Sequence, residues 1–120
     1  MDNPIERPYA LYGATYKICL DHKPNAIYVT INNIGTIEGL RPHELFINSL
    51  DPNYLAEASL IARLVSAFFR EGGSVALIVD ELKDVFEKES FWYKGKQYTS
   101  VAEVIGEIIE NHCKATGFKL

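Results

Sequence analysis

AIYVTINN at Ala26–Asn33 and HELFINS at His43–Ser49 are two alternating apolar/polar runs, and both carry the pair Ile-Asn near their ends. In an extended chain successive side chains point to opposite faces, so the first run sends Ile27, Val29 and Ile31 one way and Tyr28, Thr30 and Asn32 the other. The second sends Leu45 and Ile47 to a core and Glu44, Phe46 and Asn48 away from it. The same alternation runs from Thr15 to Leu20, with Tyr16, Ile18 and Leu20 opposed to Thr15, Lys17 and Cys19. Asp21–Asn25 reads as a turn and Asn33–Pro42, with Gly35, Gly39 and Pro42, as a loop. Short connections favour neighbouring antiparallel strands, which makes the three a meander with one apolar face to cover.

The helices that follow supply the cover. Asp51 is an N-cap candidate with Pro52 at the first helical position, and Leu60, Ile61, Leu64, Val65 and Phe68 recur at helical spacing until Gly72-Gly73. A second amphipathic stretch, Ser74–Phe86, turns Val75, Ile78, Val79, Leu82 and Val85 or Phe86 inward and Asp80, Glu81, Lys83 and Asp84 outward. FWYKGKQY at Phe91–Tyr98, with Lys-Gly at its centre, predicts a hairpin. Ser100 and Glu103 form a capping box before Val101, Val104, Ile105, Ile108 and Ile109, in a helix that Gly117 stops. The expected fold is therefore α+β: a three-stranded antiparallel meander covered on one face by about three helices, with a small hairpin before the last helix. Residues 1–10, with Pro4 and Pro8, read as an N-terminal arm and residues 11–120 as one domain.

Composition excludes several functions. The chain has 120 residues, enough for a core without staples, and 48% of them are hydrophobic, as in a folded domain. Twelve Lys and Arg against 16 Asp and Glu give a net charge of −4, which argues against nucleic acid as a partner. No apolar run is long enough for a membrane span, and MDNPIERPY lacks the apolar segment of a signal peptide, so the expected location is the cytoplasm. Cys19 and Cys113 form no CxxC motif and have no His at ligand spacing, which predicts two reduced thiols and no metal site.

No phosphate loop, nucleophile elbow or zinc motif occurs. Gly72-Gly73-Ser74 reads as a helix break rather than an anion cradle. His22, His43 and His112 suggest no metal triad, and His112 reads as a favourable charge near a helix C-terminus. Lys17, Tyr28, Thr30, Asn32, Glu44, Phe46 and Asn48 share the outer sheet face, where the two aromatics suggest that something covers them. Arg63 and Arg70, seven apart on one helix with Ser66 between them, could clamp an anion or form a salt-bridged flank.

The order of segments is more specific than any one of them: ERPYALYGATYK, AIYVTINN, RPHELFINS, LIARLVSAFFREGGSV, VDELKDVF and VIGEIIENH. This series resembles the C-terminal domain of adenosylcobalamin-dependent (class II) ribonucleoside-diphosphate reductases, the domain type called TSCPD, from about Arg7 to His112. Family-like positions are Arg7, Pro8, Gly13, Thr15, Tyr16, Lys17, Tyr28, Thr30, Ile31, Asn32, Glu44, Phe46, Ile47, Asn48 and Ser49 on the arm and strands. On the helices they are Arg63, Ser66, Phe69, Arg70, Gly72, Gly73, Glu81, Leu82 and Lys83. His43 departs from the pattern, since the family commonly has an aromatic residue before the glutamate. The cysteine-rich tail that often follows the domain is not expected here, which removes the usual suggestion of thiol shuttling or metal binding.

The resemblance implies a catalytic subunit elsewhere that holds the adenosylcobalamin, a thiyl radical and a reducing cysteine pair. Two dispersed cysteines cannot supply three active-site thiols, so the expected role is an accessory subunit that binds no cofactor itself. The candidate contacts with a class II catalytic subunit are Arg7, Tyr16, Lys17, Tyr28, Thr30, Asn32, Glu44, Phe46, Asn48, Arg63 and Arg70. The alternative is a free-standing nucleotide- or small-ligand-binding regulator using Lys17, Asn32, Asn48, Arg63 and Arg70; a homo-oligomer is compatible with either.

Overall fold

A computed structural model describes residues 6–20, 25–50, 52–86 and 91–120. Asp51, most of the Asp21–Asn25 turn including His22, and the first five residues of the arm lie outside them. Three strands, β1 (Tyr12–Ile18), β2 (Ile27–Thr36) and β3 (Gly39–Ser49), form an antiparallel sheet in the order β1-β2-β3. Then follow α1 (Pro52–Arg70), α2 (Val75–Lys83), the two-stranded hairpin β4 (Phe91–Tyr93) and β5 (Lys96–Tyr98), and α3 (Val101–Thr116). The meander, the three helices and the hairpin before the last helix are as the residue patterns predict.

Several boundaries differ. The first strand begins at Tyr12, three residues before the alternation becomes apolar on one side. The expected loop at Asn33–Pro42 is instead the end of a long hairpin that turns at Ile37-Glu38. There the Thr36 hydroxyl donates to the Gly39 carbonyl and accepts from the Glu38 N–H. The alternation was broken by a β-bulge: Asn32 pairs with Glu44 but Asn33 with Pro42, which leaves His43 as the extra residue on β3. Pro42 lacks an N–H, and a bulge is one of the few places in a sheet that tolerates this.

One face of the sheet is apolar. Ile18, Leu20, Ile27, Val29, Ile31 and Leu45 join a single core with Phe69 and Val65 of α1, Val75, Val79 and Leu82 of α2, and the inner stripe of α3. Ile18, Val29, Ile31, Leu45 and Phe69 are completely buried. Each fully buried side chain of this size contributes roughly 1.5–3 kcal/mol by leaving water.

The α1 stripe has a different phase from the one expected. Ala58, Ala62, Val65, Ser66 and Phe69 face inward, while Leu60 and Leu64 are exposed. The reason is that α1 lies along β3, the edge of the sheet, and small residues let it approach the strand closely. The Ser66 hydroxyl accepts from the Leu45 N–H at 2.9 Å and donates to the Leu45 carbonyl at 3.0 Å, standing in for a missing strand.

At the end of α1, Gly72 is left-handed (φ 79°) and the Gly73 N–H donates to the Phe68 carbonyl, a Schellman stop. Ser74 caps α2 through the Leu77 N–H. Val85 and Phe86, one or the other expected inside, both lie beyond the helix and are exposed. Lys94 and Gly95 both have positive φ, 51° and 75°, as a two-residue hairpin turn requires. The Ser100 hydroxyl accepts from the Glu103 N–H, and the Glu103 carboxylate accepts from the Thr99 N–H, one residue earlier than in a strict capping box.

Candidate functional site

The strand register arranges the outer face in three rows: Gly13–Asn32–Glu44, Thr15–Thr30–Phe46 and Lys17–Tyr28–Asn48. Tyr28 is 40% and Phe46 47% exposed, so two aromatic side chains stand on an otherwise polar surface. In the row that ends at Phe46 the Thr15 and Thr30 hydroxyls share a hydrogen bond of 2.8 Å.

The first row is closed by the arm. Arg7 donates from Nε and Nη2 to the two oxygens of Glu44, each at 3.0 Å, and Asn32 Nδ2 adds a third bond at 2.8 Å. This bidentate geometry is the strong form of an ion pair. Arg7 also donates to the Pro8 and Tyr9 carbonyls, which folds the arm onto its own side chain. Glu44, placed on the outer face from sequence as a candidate partner contact, is consequently only 5% exposed. Burial pushes its carboxyl up, but the bonds from Arg7 and Asn32 outweigh that and hold it below the usual carboxylate range. Gly13 is part of the same device, because a Cβ there would lie 1.9 Å from the Ile31 carbonyl and 2.6 Å from Asn32 Oδ1.

Beside the third strand the face continues into a groove of about 410 Å³ between β3 and α1, lined by Glu44, Phe46, Arg63, Leu64, Ser66 and Arg70, among others. The structure thus brings together Arg7, Asn32, Glu44, Phe46, Arg63 and Arg70. Lys17 stands on β1, two strands from β3 and so about 10 Å away, and does not join the arginines. Arg63 and Arg70 are exposed and make no ion pair among the described residues, in contrast to a salt-bridged flank.

Tyr16 points to the other side of the sheet. Its hydroxyl lies 2.6 Å from His112 Nδ1, and His112 Nε2 lies 3.0 Å from Asn33 Oδ1. The amide oxygen can only accept, so Nε2 carries the proton and Nδ1 accepts from the tyrosine. His112 is 2% exposed and burial pushes its pKa down, so it is a neutral core residue and not the helix-end charge that its position suggests. A groove of about 660 Å³ opens beside it between Pro8, Tyr12, Leu40 and Thr116.

His43 is fully buried and neither ring nitrogen has a hydrogen-bond partner. Burial lowers its pKa against the pull of Glu44, and Arg70, Arg7 and Arg41 add to the lowering. Neither buried imidazole can therefore reach an external metal or corrinoid: one is closed off and the other is engaged at both nitrogens. Among the described residues no three His, Cys, Asp or Glu side chains converge as a ligand set. Glu44 accepts from three donors, which hold its pKa down and make its carboxylate a weak base. What the arrangement presents chemically, among the described residues, is unpaired positive charge beside exposed apolar surface.

Sequence reasoning missed the parts that work through packing. Ser66 carried one signal, a hydroxyl on the buried stripe of a helix, and Asn33 another, a polar residue in the phase of Ile27, Val29 and Ile31. The exposed Leu60 and Leu64 had no separate signal, since they fit a helical period as well as the true inner stripe does.

No curated protein and no solved structure matches the chain significantly. The family model of the TSCPD domain, a domain found in class II adenosylcobalamin-dependent ribonucleotide reductases, matches residues 7–113. Its match begins at the arginine that closes the outer face and spans both the rows and the groove, and the chain belongs to the TSCPD domain family.

Proposed function

We propose that this chain is a non-catalytic accessory unit of a vitamin B12-dependent ribonucleotide reductase, docking on the catalytic subunit in the cytoplasm and so serving deoxyribonucleotide synthesis and DNA replication. The observation that carries the reading is the outer face: Tyr28 and Phe46 stand exposed on a surface that the Arg7–Glu44–Asn32 bonds hold in one shape. Large aromatics in a polar surround are what interface cores are made of. Membership of a domain family found in these reductases supports the choice of partner.

The chemistry of the chain supports a helper rather than a reactor. It offers Cys19 on the surface and Cys113 buried in the core, with burial pushing the Cys113 thiol up to about 11. A thiol so placed is a poor nucleophile. The adenosylcobalamin belongs on the catalytic subunit in this reading. No described helix is long and apolar enough to cross a membrane.

The test is to mix the purified chain with a class II catalytic subunit and follow both complex formation and ribonucleotide turnover. The expected result is a complex whose turnover differs from that of the catalytic subunit alone, weakened by Tyr28→Ser with Phe46→Ser. Absence of both a complex and an effect on turnover would refute it.

A further inference from the structure

α1 has two faces of use. Ala58, Ala62, Val65 and Phe69 face the core, and the opposite side carries Leu60, Arg63, Leu64, Ala67 and Arg70, spaced by three and four residues as on one side of a helix, with the exposed Glu57 and Glu71 on the leucine side and outside the groove. Leu60 is 58% and Leu64 62% exposed. We propose that this second face, with the groove between α1 and β3, receives an acidic amphipathic helix of the partner subunit. The inference rests on the accessory-unit reading and names the chemistry of the segment bound.

Charge selects the occupant. Among the described residues Glu44 is the one acidic side chain that lines the groove; Arg7 neutralises it and Asn32 helps to cover it. Arg63 and Arg70 remain as two guanidinium groups without an ion pair among the described residues, so the groove is positive on a chain whose net charge is −4. Seven residues of helix separate them by about 10 Å, which matches carboxylates seven apart on a helix lying alongside α1. Beside those charges Leu64, which lines the groove, and Leu60 one turn before it offer the i, i+4 anchors that a helix in a groove uses. A free nucleotide would satisfy the arginines but leave the leucines in water.

Binding of the wild-type chain to a class II catalytic subunit is measured at two salt concentrations, beside Arg63→Glu/Arg70→Glu, Leu60→Ser/Leu64→Ser and, as a control on α3, Lys114→Glu. The expected result is at least roughly a hundredfold weaker binding and a flatter salt dependence for the arginine pair. The leucine pair loses at least roughly tenfold, and the control stays within about twofold. Thermal melting checks that each variant folds, and Arg63→Gln/Arg70→Gln replaces the reversed pair should that one fail.

If the wild type binds and the arginine variant binds equally well, the groove proposal falls and the docking reading stands. If the wild type does not bind at all, both fall. If ATP or dATP titrated into the chain alone shifts the Arg63 and Arg70 NMR signals and the arginine variant abolishes that shift, the groove is a nucleotide site and the proposal is overturned.

Discussion

Replacing Ser66 by Ala tests how the groove is held in place. The hydroxyl satisfies both the N–H and the carbonyl of Leu45 on the edge strand, at 2.9 and 3.0 Å, and Ser66 is 6% exposed. Without it, two backbone groups remain beneath α1 where water has little access, and an unsatisfied buried group costs about 1–3 kcal/mol. Alanine returns roughly 0.5 kcal/mol through its better helix propensity. The loss dominates, and the net destabilisation is about 2 kcal/mol. For a chain of this size that lowers Tm by about 8 °C, at about 4 °C per kcal/mol. Urea unfolding gives the same quantity as a shift in midpoint at constant slope. A change below about 0.5 kcal/mol would refute the reasoning, because it would mean that Leu45 finds water or that α1 is not fixed to β3 through this hydroxyl.

Further outcomes follow from the two buried histidines, from Gly13 and from the two cysteines. His43 and His112 have folded pKa values below the ordinary imidazole value, so the unfolded chain takes up more protons as acid is added. Stability therefore holds above about pH 6.5 and falls below it; the lowered Glu44 carboxyl adds a second loss below about pH 4.5, complete once pH passes its folded value. His43→Phe removes two unpartnered buried nitrogens, so it should raise stability by about 1 kcal/mol and shrink the first of these losses, as read by melting between pH 5 and 8. Gly13→Ala should cost about 3 kcal/mol or more, since the new methyl meets the Ile31 carbonyl at 1.9 Å; an unchanged urea midpoint would contradict the packing of Asn32 over that glycine. With Ellman's reagent at pH 8, Cys19 should react within minutes and Cys113 only after denaturant is added; two fast thiols would show that the core opens readily.

Elements whose pattern was regular were readable from sequence alone. Ile27, Val29 and Ile31 predicted β2, Ser100 with Glu103 predicted the start of α3, and Lys94-Gly95 predicted the hairpin turn. Legibility failed where tertiary contact overrode a local rule. The bulge at His43 reset the alternation, so the longest hairpin read as a loop around its glycines. On α1, large apolar residues suggested an inner stripe through Leu60 and Leu64, whereas close approach to β3 favoured Ala58, Ala62 and Ser66. His112 had the sequence position of a helix-end cation, and only the fold brings Tyr16 and Asn33 to its two nitrogens.

For the outer face, the rows follow from strand parity, so Tyr28, Thr30, Asn32, Glu44, Phe46 and Asn48 could be grouped in advance. The joining of Arg63 and Arg70 to that group depends on which edge α1 covers, and periodicity within a helix carries no such information. Arg7 is a similar case. Its bidentate bond to Glu44 spans 37 positions of sequence and turns a surface carboxylate into a buried one.

Hydroxyl-radical footprinting of the aromatic side chains, with and without a class II catalytic subunit, tests the docking face most directly. The account predicts that Tyr28 and Phe46 lose most of their reactivity in the mixture, while Phe86, 77% exposed beyond α2, keeps its own. Unchanged oxidation of Tyr28 and Phe46 in a mixture shown to contain the complex would contradict it.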